Sequence, residues 1–209
     1  MNPSSNWEQV NSDVFWGEIA DCKHIVQIYE TDEVLIETLM GFIESGINVE
    51  DCCLIIATGD HLTSLEDHLH AHGFDIESLV AEGRYMPVNA EKMLSQFLVN
   101  GCPNKELYMQ RGADIMTKAR ATKRMIRMFG EMSPLLWSMG HKTTALEMEQ
   151  LANEFCAMES VCVFCAYSKE IFENDASPFV DHICAEHNKV ISGSQIQSSE
   201  IYYRDSVVA

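Results

Sequence analysis

The chain has 209 residues, 46% of them hydrophobic, and a formal net charge of −18 at pH 7: enough to bury one core, and too acidic to favour nucleic acid or an anionic membrane. No apolar run reaches the length of a membrane span and the polar opening MNPSSNWEQ is no secretory signal, so the chain reads as cytosolic. Eight cysteines in a chain of this length do not make a disulfide framework and read as reduced, buried thiols.

Residues 1–23 carry Trp7, Val10, Val14, Phe15 and Trp16 among polar neighbours, which predicts a short amphipathic segment docked on its own domain. From His24 the pattern becomes strand, turn, helix, strand. HIVQIY is apolar and β-branched; ETDE supplies a Thr–Asp start with acids in the first helical turn. Val34, Leu35, Leu39, Phe42 and Ile43 then recur at helical spacing, Gly46 closes the helix, and CCLIIA is the continuous apolar run that parallel sheets bury. Such a βαβ unit binds ligands at the carboxyl ends of its strands, which puts Tyr29, Glu30 and Thr31 at the mouth of a site. The turn YETDE has no glycine, and between His24 and Gly83 there are thirteen Asp and Glu but no Lys or Arg. A nucleotide phosphate is disfavoured there.

Further on, HLTSLEDHLHAHG predicts a helix ended by Gly73, and FDIESLVAEG another helical turn. RYMPVNA reads as a short strand ending at Pro87, a residue suited to a sheet edge. EKMLSQFLV is amphipathic and broken by GCPN, and ELYMQRGADIMTKARAT is a helix with Leu107, Ile115 and Met116 toward the core. MIRMFG predicts a strand ending at Gly130; PLLWSMGHKTTALEMEQLANEFCAM a loop and long helix; VCVFCAY a buried strand; SPFVDHICAEHNKVI a closing helix. Domain boundaries follow: an N-terminal segment at 1–23, an α/β domain at 24–190, and a flexible, Ser/Gln-rich tail at 191–209. The alternation of strands and helices defines an α/β class with a mainly parallel sheet covered on both faces.

Several clusters invite a chemical reading. Among His61, His68, His70 and His72 only His68 and His72 share a helical face, and no further ligand stands at a fixed spacing, so surface histidines are the better account. Cys162 and Cys165 have the spacing of a zinc knuckle, but in a strand residues three apart point to opposite faces, so both are expected buried, unbridged and without metal. Cys184 and His187 read as a packed thiol and a surface histidine. Lys118, Arg120, Lys123, Arg124 and Arg127 read as the solvated face of a helix running into a strand. No G-x-S-x-G elbow supports hydrolase chemistry. Glu131, just past a strand and a glycine, should stand at the carboxyl edge, with Arg127 as a possible ion partner on the same face and Trp137 as an aromatic wall.

The ordered set H-x4-Y-E (His24, Tyr29, Glu30), GINVEDCCLIIAT, the HGFD turn at His72–Asp75, R-x2-GEM-x4-W (Arg127 to Trp137), E-x3-N (Glu149, Asn153) and CAY (Cys165 to Tyr167) resembles the MEDS domain. That sensory domain is named for methanogens, methylotrophs and a dichloromethane-responsive regulator. The resemblance implies a RecA/KaiC-like fold that has lost its phosphate loop, and sensing of a small molecule such as a hydrocarbon derivative. It also implies signalling beside a histidine kinase or another output domain; as this chain shows none, a separate partner of that kind is expected.

The combined expectation is a non-enzymatic sensory protein that uses no cofactor and no metal. It binds a small, weakly polar molecule in a largely apolar pocket at the carboxyl ends of the strands. His24, Tyr29 and Glu30 contact the ligand from one side; Arg127, Glu131 and Trp137 close the other. A metal- or thiol-dependent protein and a ligand-free interaction scaffold stay open as alternatives, and so does assembly into a homo-oligomer.

Overall fold

The computed structural model describes residues 8–11, 24–173, 179–192 and 200–203. In chain order the elements are β1 (Glu8–Asn11), β2 (His24–Tyr29), α1 (Asp32–Asn48), β3 (Cys52–Ala57), α2 (Gly59–Ala71) and α3 (Ile76–Ala81). Next come β4 (Tyr85–Asn89), α4 (Ala90–Leu94), β5 (Leu98–Val99), β6 (Cys102–Pro103), α5 (Lys105–Ala121) and β7 (Ile126–Gly130). The remainder is α6 (Met132–Ser138), α7 (Lys142–Glu159), β8 (Cys162–Ser168), α8 (Lys169–Glu173), α9 (Phe179–Ala185), β9 (Lys189–Ser192) and β10 (Glu200–Tyr203).

One sheet organises these pieces, in the order β1-β10-β9-β2-β8-β7-β3-β4. From β9 to β4 every neighbour runs parallel, and β10 and β1 extend the β9 side antiparallel. Period-two alternation divides the strands between two cores. Ile25, Tyr29, Cys53, Ile55, Phe129 and Phe164 pack under α1, α2 and α3. Val26, Leu54, Ile56, Met128, Cys165 and Tyr167 pack under α4, α5, α6, α7 and α9. Both faces are therefore covered, which is why HIVQIY and CCLIIA are wholly buried and, but for His24 and Gln27, apolar. No described helix is long and apolar enough to cross a membrane.

Local chemistry explains the element ends, including three that differ from the sequence expectation. Thr31 caps α1 by accepting from the Val34 N–H at 3.4 Å. Gly46 does not end that helix, which runs on to Asn48. A Cβ at Gly46 would lie 2.6 Å from Cys53 Sγ and 3.0 Å from Arg127 Cδ, so the glycine is there for close helix–sheet approach. PLLWS is helical, because Pro134 falls within the first turn of α6, where a missing N–H costs nothing. The expected closing helix stops at Ala185. Asn188 exchanges hydrogen bonds with the His24 backbone, at 2.8 and 3.2 Å, and turns the β-branched Val190 and Ile191 into a strand beside β2.

β4 runs past Pro87 to Asn89, and it is an edge strand, where a residue without N–H is tolerated. β9 and β10 fall partly or wholly within the tail expected beyond residue 190, and β1 within the expected N-terminal segment. Trp7, Val14, Phe15 and Trp16 lie outside the described residues.

Candidate functional site

Glu131 follows β7 directly and its backbone N–H bonds the Ile56 carbonyl at 2.9 Å, which fixes it at the carboxyl edge of the sheet. Its carboxylate is buried, and Oε2 accepts from the Thr58 N–H at 2.9 Å. Oε1 meets His61 Nδ1 at 2.6 Å, while His61 Nε2 lies 3.7 Å from Asp32 Oδ1. The hydrogen bond to Glu131, offset in part by burial, raises the His61 pKa, with the Asp32 carboxylate adding to the rise. His61 thus joins the ends of β7, α1 and α2 through its two ring nitrogens. Tyr29 is buried close by; burial first, then Glu131 and Asp32, push its phenol up.

The structure thus brings Tyr29 and Glu131 into one neighbourhood, across the single intervening strand β8. It does not bring the other expected residues there. Glu30 is exposed and pairs with Lys169 at 3.0 Å. Arg127 shares a sheet face with Glu131 but sits at the opposite end of β7. There it bonds Asp51 at 2.6 Å and the Ser45 hydroxyl at 2.8 Å, with its guanidinium over the Phe42 ring. Three residues of strand separate Arg127 from Glu131, too far for an ion pair; His61 takes the place expected of Arg127. Trp137 is buried under the other face, edge-on to Tyr167 with centroids 6.2 Å apart, and walls no cleft beside Glu131.

His24 is the clearest departure. As the first residue of β2 it lies at the amino edge, wholly buried, and its imidazole meets Asn153, Cys165 and Glu149. His187, expected at the surface, is buried beside it, with ring centroids 4.0 Å apart. Burial lowers the His24 pKa to about 3 and that of His187 to about 4. Both imidazoles are therefore neutral near pH 7, although their separations from Glu149, 3.4 and 3.6 Å, are those of ion pairs. Burial also raises the Glu149 pKa. Cys162 and Cys165 fall on opposite faces of β8, as the strand geometry requires, but only Cys165 is fully buried. Cys102 is exposed and Cys184 half-buried, so the cysteines are not uniformly interior.

Two cavities flank Glu131. On the α1–α2 side a cleft of about 980 Å³ opens between Asp32, Glu37, Glu44, Thr58, His61 and His68. Its charged residues are mostly acidic, and Ile36, Met40 and Leu135 complete its lining. On the opposite face a much smaller pocket of about 30 Å³ lies between β3, β7 and α4–α7, lined by Ile56, Met93, Tyr108, Met116, Met128 and Met132. Its wall is almost wholly apolar.

His61 and His187 were missed by sequence reasoning. His61 stands three residues after Thr58, just past the end of β3, so the edge argument that singled out Glu131 applies to it equally. His187 had no comparable signal, because its burial depends on the helix ending early.

A six-stranded parallel core sheet with helices on both faces defines the protein's class, the RecA/KaiC-like α/β fold. A KaiC-like protein from the hyperthermophilic archaeon Pyrococcus horikoshii OT3 superposes with a TM-score of 0.60 at 14% identity, covering 89% of this chain and 80% of that one. A second structure from the same organism aligns with a TM-score of 0.49 at 10% identity, over 81% and 80%. No curated protein matches. Residues 23–188 match the model of the MEDS family, the MEthanogen/methylotroph, DcmR Sensory domain, and the chain belongs to that family.

Proposed function

We propose that this sensory-domain protein binds a hydrocarbon derivative of one or two carbons and passes the signal to a separate partner, without chemical turnover. The observation that carries the reading is the methionine-lined pocket. A site of about 30 Å³ has room for a group of a few heavy atoms, since one water needs roughly 10–15 Å³. Methionines Met93, Met116, Met128 and Met132 supply a polarisable wall that repacks around such a guest.

The same pocket offers a route for the signal. Met132 lines it, and the adjacent Glu131 reaches through to Thr58 and His61 at the acidic cleft. A guest that displaces Met132 would strain that link, and a partner that binds the two cleft geometries unequally would read the change. A signalling protein with a basic docking segment suits the cleft's carboxylates.

Thermal unfolding with added dichloromethane, chloromethane or methanol tests the binding. A specific guest stabilises the fold by about 2.7 kcal/mol at one hundred times its Kd, and Met116→Phe, which fills the pocket, removes that gain. Equal responses of the wild type and Met116→Phe would reject the site.

A further inference from the structure

At the amino edge of the sheet, away from the proposed pocket, four buried side chains from four parts of the chain point at one another. They are His24 (first in β2), Glu149 (in α7), Cys165 (in β8) and His187 (just before β9). One ligand atom from each lies within 4.8 Å of all the others. The measured edges are 3.4 Å from His24 Nε2 to Cys165 Sγ, 3.4 Å from His24 Nε2 to Glu149 Oε2, and 3.6 Å from His187 Nε2 to the same oxygen. A tetrahedron built on zinc bonds to nitrogen, oxygen and sulfur has edges of about 3.3–3.6 Å.

The protons point the same way. His187 Nδ1 lies 2.6 Å from the Ile183 carbonyl, an atom that only accepts, so Nδ1 donates and the neutral ring turns a bare Nε2 inward. Asn153 Nδ2 donates to the Glu186 carbonyl and carboxylate at 2.9 and 2.7 Å, which fixes its amide so that Oδ1 faces His24 Nδ1 at 3.0 Å. His24 therefore also turns a bare Nε2 inward. Glu149 Oε1 is held by the Tyr167 hydroxyl, leaving Oε2 toward the imidazoles. Glu149 Oε2 and His187 Nε2 are buried without a hydrogen-bond partner among the described residues. Two buried acceptors that face each other at 3.6 Å are costly in an interior unless a shared cation joins them.

We propose that His24, Glu149, Cys165 and His187 form a closed binding site for one zinc-class divalent transition-metal ion. Two imidazoles, a carboxylate and a thiol suit zinc and not magnesium or calcium. Each ligand except the thiol already has the outer hydrogen bond that orients metal ligands: Asn153 for His24, Ile183 for His187, Tyr167 for Glu149. On binding, Cys165 loses its proton to solvent and the two tilted rings splay slightly to reach the ion. With all four positions taken by protein the site is structural, tying the entry to β9 onto β2, β8 and α7. This departs from the sequence expectation of no metal, because His187 reaches the cluster only where the chain turns back beside β2.

The test uses the full chain without a histidine tag, stripped by a chelator and titrated with zinc(II) and cobalt(II). The site predicts one tightly held equivalent per chain, a raised Tm, tetrahedral cobalt bands and a thiolate-to-cobalt charge-transfer band. Cys165→Ser abolishes that band, Glu149→Gln weakens binding, and Cys162→Ser changes neither. Asn153→Ala lowers affinity by about 10–100-fold. Should the ligand variants not fold, nitrogen-15 spectra of the wild-type imidazoles decide: zinc must shift Nε2 of His24 and His187 and leave His70 unmoved. No stoichiometric binding, a band that survives Cys165→Ser or vanishes with Cys162→Ser, or zinc shifts confined to α2 histidines would overturn the site.

Discussion

Glu131→Gln removes a charge from the carboxyl edge while keeping the side chain's shape. In the wild type the carboxylate takes a bond from the Thr58 N–H at 2.9 Å and another from His61 at 2.6 Å. Glutamine keeps one oxygen for Thr58, but at neutral strength, and presents an amide to His61 in place of the carboxylate. A hydrogen bond to a charged group contributes about 1.5–3 kcal/mol against about 0.5–1.5 for a neutral one, so the substitution should cost about 1–3 kcal/mol. Solvent screening takes little from this, since the two side chains are 5% and 16% exposed. Urea unfolding with an unchanged m-value is the assay.

The pH dependence gives a sharper check. Glu131 raises the folded pKa of His61 above its ordinary 6.5. The stabilisation is therefore fully present below about pH 6.5 and fades as pH rises through the raised folded value. The gap between wild type and variant should narrow accordingly on the alkaline side. A gap that stays constant with pH, or a His61 titration by NMR that is identical in the variant, would refute the reasoning.

Other consequences follow from the packing. Gly46→Ala places a methyl 2.6 Å from Cys53 Sγ and should destabilise by about 1–3 kcal/mol in urea, with the helix content unchanged. Phe164→Ala empties the place between Phe42 and Phe129, whose ring centroids lie 5.5 and 5.4 Å away, at a cost of about 3–5 kcal/mol on the same measure. Magnesium ATP should give no micromolar binding by calorimetry at physiological salt, because Thr31 already occupies the Val34 N–H and Asp32 and Glu33 flank the start of α1. A saturable heat there would contradict that account of the turn.

The sheet was legible because its strands are short, apolar and separated by helices with recognisable starts. Thr31 marks a helix N-terminus in the sequence and caps it in the structure. Glu131 was legible for a related reason, as it follows a strand and a glycine. What escaped was long-range. Arg127 and Glu131 share a face, yet whether they meet depends on the distance along the strand and on which helices supply partners. Asp51 and Ser45 claim one, Thr58 and His61 the other. His24 looked like a neighbour of Tyr29 in the H-x4-Y-E pattern, but a six-residue strand carries the two to opposite edges. The pairing of His24 with His187, 163 positions away by number, is set by the strand β9 beside β2.

The central claim is that a small hydrocarbon derivative enters the pocket among β3, β7 and α4–α7. The most direct measurement is a titration of the methyl-13C-methionine protein with dichloromethane followed by NMR. The account predicts saturable shifts at Met93, Met116, Met128 and Met132, and none at the exposed Met125, Met139 and Met158. Shifts that never saturate, or that appear equally at the exposed methionines, would contradict it.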